Sequence, residues 1–239
     1  MSSYFHYGGA SASMEPKVHK IFPTCIWEFE CPVDNQDEIL ADLMEKWDLR
    51  ERDSSCTDGF QSRPDLHTDP LYQNLCTKVL IASQTIWDEY LYHDIVPTFT
   101  AMWANALGKS ANIHTHSHSN SFFSGVWYPD HIECDNTHEV IRPITGQLPD
   151  HGESPQGCIL FQDAVKRYTL MPKVFASNEI NTGEYMMRPQ KGMLLLFPSW
   201  LEHGTIAYLG NKPRFSISFN IWMKGELGHS SALNQLTIL

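Results

Sequence analysis

The sequence predicts a mainly β protein, a sandwich, barrel or jelly roll, with two helices on its N-terminal side. Three observations predict it. From Ile95 onward, short β-branched and aromatic runs alternate with Gly, Pro and Asn punctuation, and no helical run separates them. Before that point, two segments carry their apolar residues on one helical face. Within the strand expected at 213–223, residues 214–221 alternate strictly between polar and apolar, as a strand does when its two faces meet different surroundings. A chain of 239 residues is long enough to bury such a core without disulfide staples.

Residues 1–19, rich in Gly, Ser and Ala, read as a flexible lead-in, and 20–239 as a single domain. Ile21 to Phe29 reads as a first strand, interrupted by Pro23. Asn35 to Glu51 predicts a helix, with Ile39, Leu40, Leu43, Met44 and Trp47 on one face and Asn35 with Glu38 as a capping box. The polar stretch from Glu51 to Asp65 reads as loop. Asp69–Pro70 predicts the start of a second helix, an N-cap followed by Pro in the first turn, with Leu75, Val79, Ile86 and Tyr90 as its apolar face. These helices form a support over 35–91, against a β core over 95–223. Strands are expected near 97–105, 110–118, 123–128, 157–162, 168–172, 184–188, 192–197, 204–208 and 213–223. The segment 130–156, with its three prolines, is too long for a turn and suits a lid or a surface insertion.

A net charge of −11 argues against a general nucleic-acid or anionic-membrane surface, since phosphates need Lys and Arg. It leaves room for a local basic pocket. The six cysteines form no CxxC pair and are too sparse for a disulfide scaffold, so free thiols in a reducing compartment are expected. Met1 to Gly9 has neither the basic nor the apolar region of a signal peptide, and no apolar run reaches membrane-spanning length. The expected location is the cytoplasm.

The densest chemical signal is Asn112-Ile113-His114-Thr115-His116-Ser117-His118. On a strand, its three alternating histidines would project from one face. Neutral imidazole ligates transition metals, and two such rings can chelate one ion. The bland alternatives are a polar strand face or weak zinc scavenging by a His-rich tract. A further ligand is expected at His203, in the FPSWLEHGT segment. Arg214, Ser216, Ser218 and Asn220 face one way and Phe215, Ile217, Phe219 and Ile221 the other. An arginine on an inward face needs a partner, and a ligand carboxylate matches its two parallel donors, with Ser216 adding a third. A solvated sheet face with a surface ion pair is the competing explanation.

His203, ten intervening residues, then Arg214-x-Ser216 resembles the distal motif of Fe(II)/2-oxoglutarate-dependent oxygenases. More narrowly, IFPTCIW, GFQS-x-x-DLH at 59–67, AMWAN at 101–105, HSHSNSFFSGVWY at 116–128, LLLFPSWLEHG and RFSISFN at 214–220 resemble a 2-oxoglutarate/Fe(II) oxygenase family of marine bacteria and their phages. The resemblance runs over residues 20–223. It implies a double-stranded β-helix, a jelly roll of cupin type. It implies Fe(II) as the metal, 2-oxoglutarate as co-substrate, dioxygen, and hydroxylation of a small-molecule or peptide substrate with release of succinate and CO2. It places His203 on the iron, and Arg214 and Ser216 on the far carboxylate of 2-oxoglutarate. A phage-encoded chain would work in the host cytoplasm.

One departure stands out. The superfamily's upstream motif is His-x-Asp or His-x-Glu, and this chain has His116-Ser117-His118. The iron then has three histidines, or two histidines and water, or His114 with His116 as the chelating pair. The set His116, His118 and His203 keeps the following turn and the SGVWY strand in register. Asn105 and Ser124 are expected beside the cofactor, or simply packed; Trp103 and Trp127 are expected in the core. Two rival functions remain at this level: a cupin-like three-histidine dioxygenase that does not use 2-oxoglutarate, and a non-enzymatic β-sandwich binding module.

Overall fold

The computed structural model describes residues 23–49, 59–132, 155–163, 183–229, 231 and 234–239. The lead-in 1–19, the strand expected at 168–172 and most of the 130–156 segment lie outside them. Among the described residues, ten strands and two helices follow in the order β1 (Trp27–Glu30), α1 (Gln36–Leu49), β2 (Gly59–Gln61), α2 (Gln73–Glu89), β3 (Ile95–Leu107), β4 (Phe123–Trp127), β5 (Ile159–Gln162), β6 (Glu184–Met187), β7 (Met193–Pro198), β8 (Glu202–Thr205), β9 (Arg214–Leu227) and β10 (Leu236–Ile238).

They build two antiparallel sheets. The large one runs β1-β7-β4-β9-β3-β2, with β10 also paired to β9; the small one runs β6-β5-β8. Strict alternation gives the central strand β9 two functions. Phe215, Ile217, Phe219 and Ile221 are buried with Ala104 and Ala106 of β3, Phe123 and Trp127 of β4, and Leu194 and Leu196 of β7. That layer also takes Ile39 and Leu43 of α1 and Leu75, Val79, Ile86 and Trp87 of α2. The helices thus close one face of the large sheet. Its other face turns towards the small sheet, where Val126, Tyr128, Leu195 and Phe197 pack with Ile159 and Phe161 of β5.

The helices start close to where their caps predict. Asp69 accepts from the Leu71 N–H with Pro70 in the first turn, but that turn is 3-10 before α2 begins at Gln73. Asn35 precedes α1, yet its amide donates to the Leu71 carbonyl and its Oδ1 accepts from Asn74, so it ties the two helices together and closes no capping box. Met44 and Tyr90, expected on apolar faces, are exposed. The polar loop reading of 51–65 missed β2, whose three residues pair with Asn105–Leu107.

The largest correction concerns 110–118, which forms no regular strand. Its hydrogen bonds to the 199–205 segment explain why. The Thr205 N–H donates to the Ile113 carbonyl, and His116 and His203 exchange both backbone bonds, all at 2.9 Å. Three steps on one chain therefore oppose two on the other, a bulge that breaks the alternation. His203, expected between strands, lies within β8 itself.

Candidate metal and co-substrate site

The bulge sorts the histidines. Candidate ligand nitrogens of His116, His118 and His203 all lie within 4.8 Å of one another. The ring centroids are 4.6 Å apart for His116–His203, 5.2 Å for His118–His203 and 4.9 Å for His116–His118. His114 is pushed out of this group and exposed. Its carbonyl is still used, since it lies 2.7 Å from His116 Nδ1. His203 Nδ1 is likewise 2.8 Å from the Leu201 carbonyl. A carbonyl only accepts, so both rings carry their proton on Nδ1 and keep the Nε2 lone pair free. That is the tautomer a metal needs on Nε2. Among the described residues, no carboxylate joins the group.

Gly204 makes this approach possible. A Cβ there would stand 2.8 Å from the Ile113 carbonyl oxygen and 3.0 Å from the Thr115 nitrogen. Both are backbone atoms fixed by the pairing just described. Gly204→Ala is therefore expected to destabilise the protein by about 1–3 kcal/mol, the usual cost of overpacking. It should also spread the two histidine segments. Thermal unfolding with and without added Co(II) checks this; unchanged stability with unchanged Co(II) affinity would contradict it.

Burial holds the rings neutral. The His203 ring packs against Phe197, with centroids 4.6 Å apart. Its pKa is lowered to about 4 by burial, opposed by the Leu201 carbonyl and aided by the neighbouring histidines. His118 lies 5.6 Å from the Trp103 ring, and its pKa falls to about 4 through burial and His116. The sign for stability follows from linkage. Below the ordinary value of 6.5 the unfolded chain takes up protons that these folded rings refuse. Metal-free protein should thus lose stability as pH falls from about 6.5, and this loss should level off below about 4. Urea unfolding across that range, compared between wild type and His203→Asn, reads the contribution. Parallel profiles would contradict it.

A cavity of about 240 Å³ adjoins the histidines, between the two sheets. The large sheet lines it with Trp103, Asn105, Ser124, Tyr128, Arg214 and Ser216; β8 contributes His203 and Thr205. Register explains the grouping, since Asn105 pairs with Ser216, and Trp103 with Ser218. Asn105 is buried and donates to Ser218 Oγ at 3.0 Å. Trp103 thus lines the cavity and is not a core residue, whereas Trp127 is fully buried and donates to the Cys31 carbonyl.

Arg214 is 2% exposed. Its Nε donates to the Gly157 carbonyl at 3.0 Å, and its guanidinium carbon lies 5.3 Å from the centre of the Tyr128 ring. Its Nη1 has no hydrogen-bond partner among the described residues. A buried guanidinium with an unused donor facing a cavity is costly unless an anion completes it. Three neutral imidazoles suit Fe(II), and Arg214 with Ser216 suits a carboxylate; the residues present fit a metal and a dicarboxylate side by side. Tyr128 was not legible as part of this site, because the apolar SGVWY run carries no polar signal at that position. Its hydroxyl pKa is pushed up to about 12 by burial, with Arg214 pulling the other way.

The comparisons agree with this chemistry. Residues 101–220 match the model of the family described as "Putative 2OG-Fe(II) oxygenase", and that span is half of the 239-residue chain. The chain belongs to this family and is an Fe(II)- and 2-oxoglutarate-dependent oxygenase. Among solved structures it is similar to HygX from Streptomyces hygroscopicus, solved with nickel, 2-oxoglutarate and hygromycin B. Identity is 14% over 83% of this chain and 82% of that one, with a TM-score of 0.52. It is also similar to SnoN, a non-heme alpha-ketoglutarate-dependent epimerase from nogalamycin biosynthesis, at 13% identity over 84% and 79% of the two chains and a TM-score of 0.55. These likenesses show the fold, the double-stranded β-helix. No curated protein matches the sequence. Among the described residues, no helix is long and apolar enough to cross a membrane.

Proposed function

We propose that His116, His118 and His203 ligate Fe(II), that Arg214 and Ser216 hold the far carboxylate of 2-oxoglutarate, and that the enzyme hydroxylates a C–H bond of a small organic substrate. The observation that carries this reading is the juxtaposition of three converging imidazoles with a buried arginine whose Nη1 is unpartnered among the described residues. A three-histidine enzyme that does not use 2-oxoglutarate would leave that arginine without a role. Family membership leaves no ground for a non-enzymatic module.

When bound, Fe(II) and 2-oxoglutarate supply the oxidising chemistry, consuming dioxygen and releasing succinate and CO2. The protein's part is to bind, orient and exclude water. The backbone carbonyls of His114 and Leu201 hold two rings in the tautomer that leaves Nε2 free. Tyr128 stacks on Arg214 and the Gly157 carbonyl fixes its Nε, so the guanidinium is aimed before any ligand arrives. Asn105, linked to Ser218, and Ser124 line the same cavity as positioning groups. Phe197 and Phe161 flank His203 and keep its side dry. Substrate would enter where His116 opens to solvent.

The test is spectroscopic. Anaerobic protein with Fe(II) and 2-oxoglutarate should develop a weak visible charge-transfer band that neither addition gives alone. A band with Fe(II) but no response to 2-oxoglutarate would favour the rival metal chemistry. We further propose a reducing, cytoplasmic setting, supported by the free thiols of Cys25, Cys31 and Cys76.

A further inference from the structure

His118 differs from its two companions. Their Nδ1 atoms face carbonyl oxygens, but His118 Nδ1 lies 3.4 Å from Nδ2 of Asn220. An amide nitrogen only donates, so this arrangement places the His118 proton on Nε2 and occupies Nδ1. It is the wrong tautomer for a ring that completes a metal site through Nε2. The amide of Asn220 has a second orientation, a half-turn away, that fills the same volume and presents Oδ1 to the ring instead.

The surrounding hydroxyls choose between the two. Asn220 is the end of a chain across the sheet. Ser124 Oγ is 2.8 Å from the Asn220 amide and 3.1 Å from Ser199 Oγ; Ser199 Oγ is 2.8 Å from Ser121 Oγ; Ser121 Oγ is 2.6 Å from the Phe123 carbonyl. Ser124 and Ser199 are buried, at 1% and 2% exposed, so water does not complete them. The chain has four links, and its three serines supply one proton each. With Oδ1 towards Ser124, one link has no proton. With Nδ2 towards Ser124, the amide supplies the fourth. Every link is then filled in one direction: Asn220 to Ser124, Ser124 to Ser199, Ser199 to Ser121, Ser121 to the carbonyl. At the other end, Oδ1 accepts the His118 Nδ1 proton.

We propose that Asn220 is a positioning residue for His118: through its Oδ1 it holds the proton on His118 Nδ1, and the Ser124–Ser199–Ser121 chain fixes the amide in that orientation. This frees Nε2 of the third ring and gives all three histidines one tautomer. The inference rests on the ligand set proposed above, but its first test does not need a metal. The ring ¹⁵N shifts of His118 in metal-free wild type, assigned with His118→Gln, should report Nδ1–H. In Asn220→Ala they should move to a mixture. An Nε2–H tautomer in the wild type overturns the proposal.

Co(II) titration supplies the second readout. Asn220→Ala should weaken Co(II) binding about 10-fold or more, the range for lost hydrogen-bond partners of ligating histidines. Asn220→Asp, whose carboxylate also accepts from Nδ1, should recover it. Asn220→Ala within twofold of wild type, or Asn220→Asp as weak as Asn220→Ala, overturns the proposal, because a purely structural role would not distinguish the two variants. If wild type binds no Co(II) at all, the metal reading itself fails, and the tautomer measurement still decides the role of Asn220.

Discussion

Arg214→Met is expected to abolish productive use of 2-oxoglutarate while sparing the metal. Removing one member of a buried, hydrogen-bonded charge pair costs about 2–5 kcal/mol, so 2-oxoglutarate affinity should fall about 30- to 4000-fold. Fe(II) affinity should change by less than about threefold, because the guanidinium contacts Gly157 and Tyr128 among the described residues and none of the three candidate ligands. Arg214→Lys should not rescue. An ammonium cannot keep the Gly157 bond, the Tyr128 stack and two parallel donors at once. The ligand-free variant should be no less stable than wild type, since a buried cation with an unpartnered nitrogen is replaced by an apolar chain of similar length. Titration of 2-oxoglutarate into Fe(II)-loaded protein, read by the visible band or by calorimetry, decides the matter. Wild-type affinity in Arg214→Met would remove the basis for assigning the co-substrate to this arginine.

His203→Ala is expected to lose the metal. On the proposed ligand set it leaves two imidazoles on one short segment, and the ion loses the only ligand that comes from the small sheet. The fall in Fe(II) affinity should exceed about 100-fold, the upper end for losing a mere outer partner of a ligand. Succinate release should drop to background. His114→Ala should do neither, because only the backbone carbonyl of that residue takes part in the site. The pair discriminates sharply. Retained metal affinity in His203→Ala, or its loss in His114→Ala, would mean that the ligands are not the ones proposed. Circular dichroism of both variants checks that the sheet pairing survives.

The residues carried much of this protein's identity before any coordinates. Alternation along 214–221 is a local property of a strand, so it named the two faces of β9, and with them Arg214 and Ser216 on one side and the helix-facing core on the other. The Asp69–Pro70 start and most of the two apolar stripes were legible for the same reason, since they depend on neighbours a few residues away, whereas the Asn35 cap was not, because that side chain bonds Leu71 and Asn74 instead. His203 stood out by its place after a strongly apolar strand, and its spacing to Arg214 carried the resemblance to the oxygenase motif. What remained hidden depends on contacts distant in sequence. The choice among His114, His116 and His118 turns on one extra residue in the pairing of 113–116 with 203–205, and on Gly204 letting the backbones touch. Alternation alone put all three rings together. Trp103 belongs to the cavity, and Tyr128 to the arginine, only because β3, β4 and β9 lie side by side in one register. The proton chain from Asn220 to Ser121 joins residues about a hundred positions apart, so no window along the sequence could reveal it. Periodicity determined which faces would be polar; the closing of two sheets over one another decided which polar groups meet, because hydrogen bonds and ligand sets are fixed by distance in space.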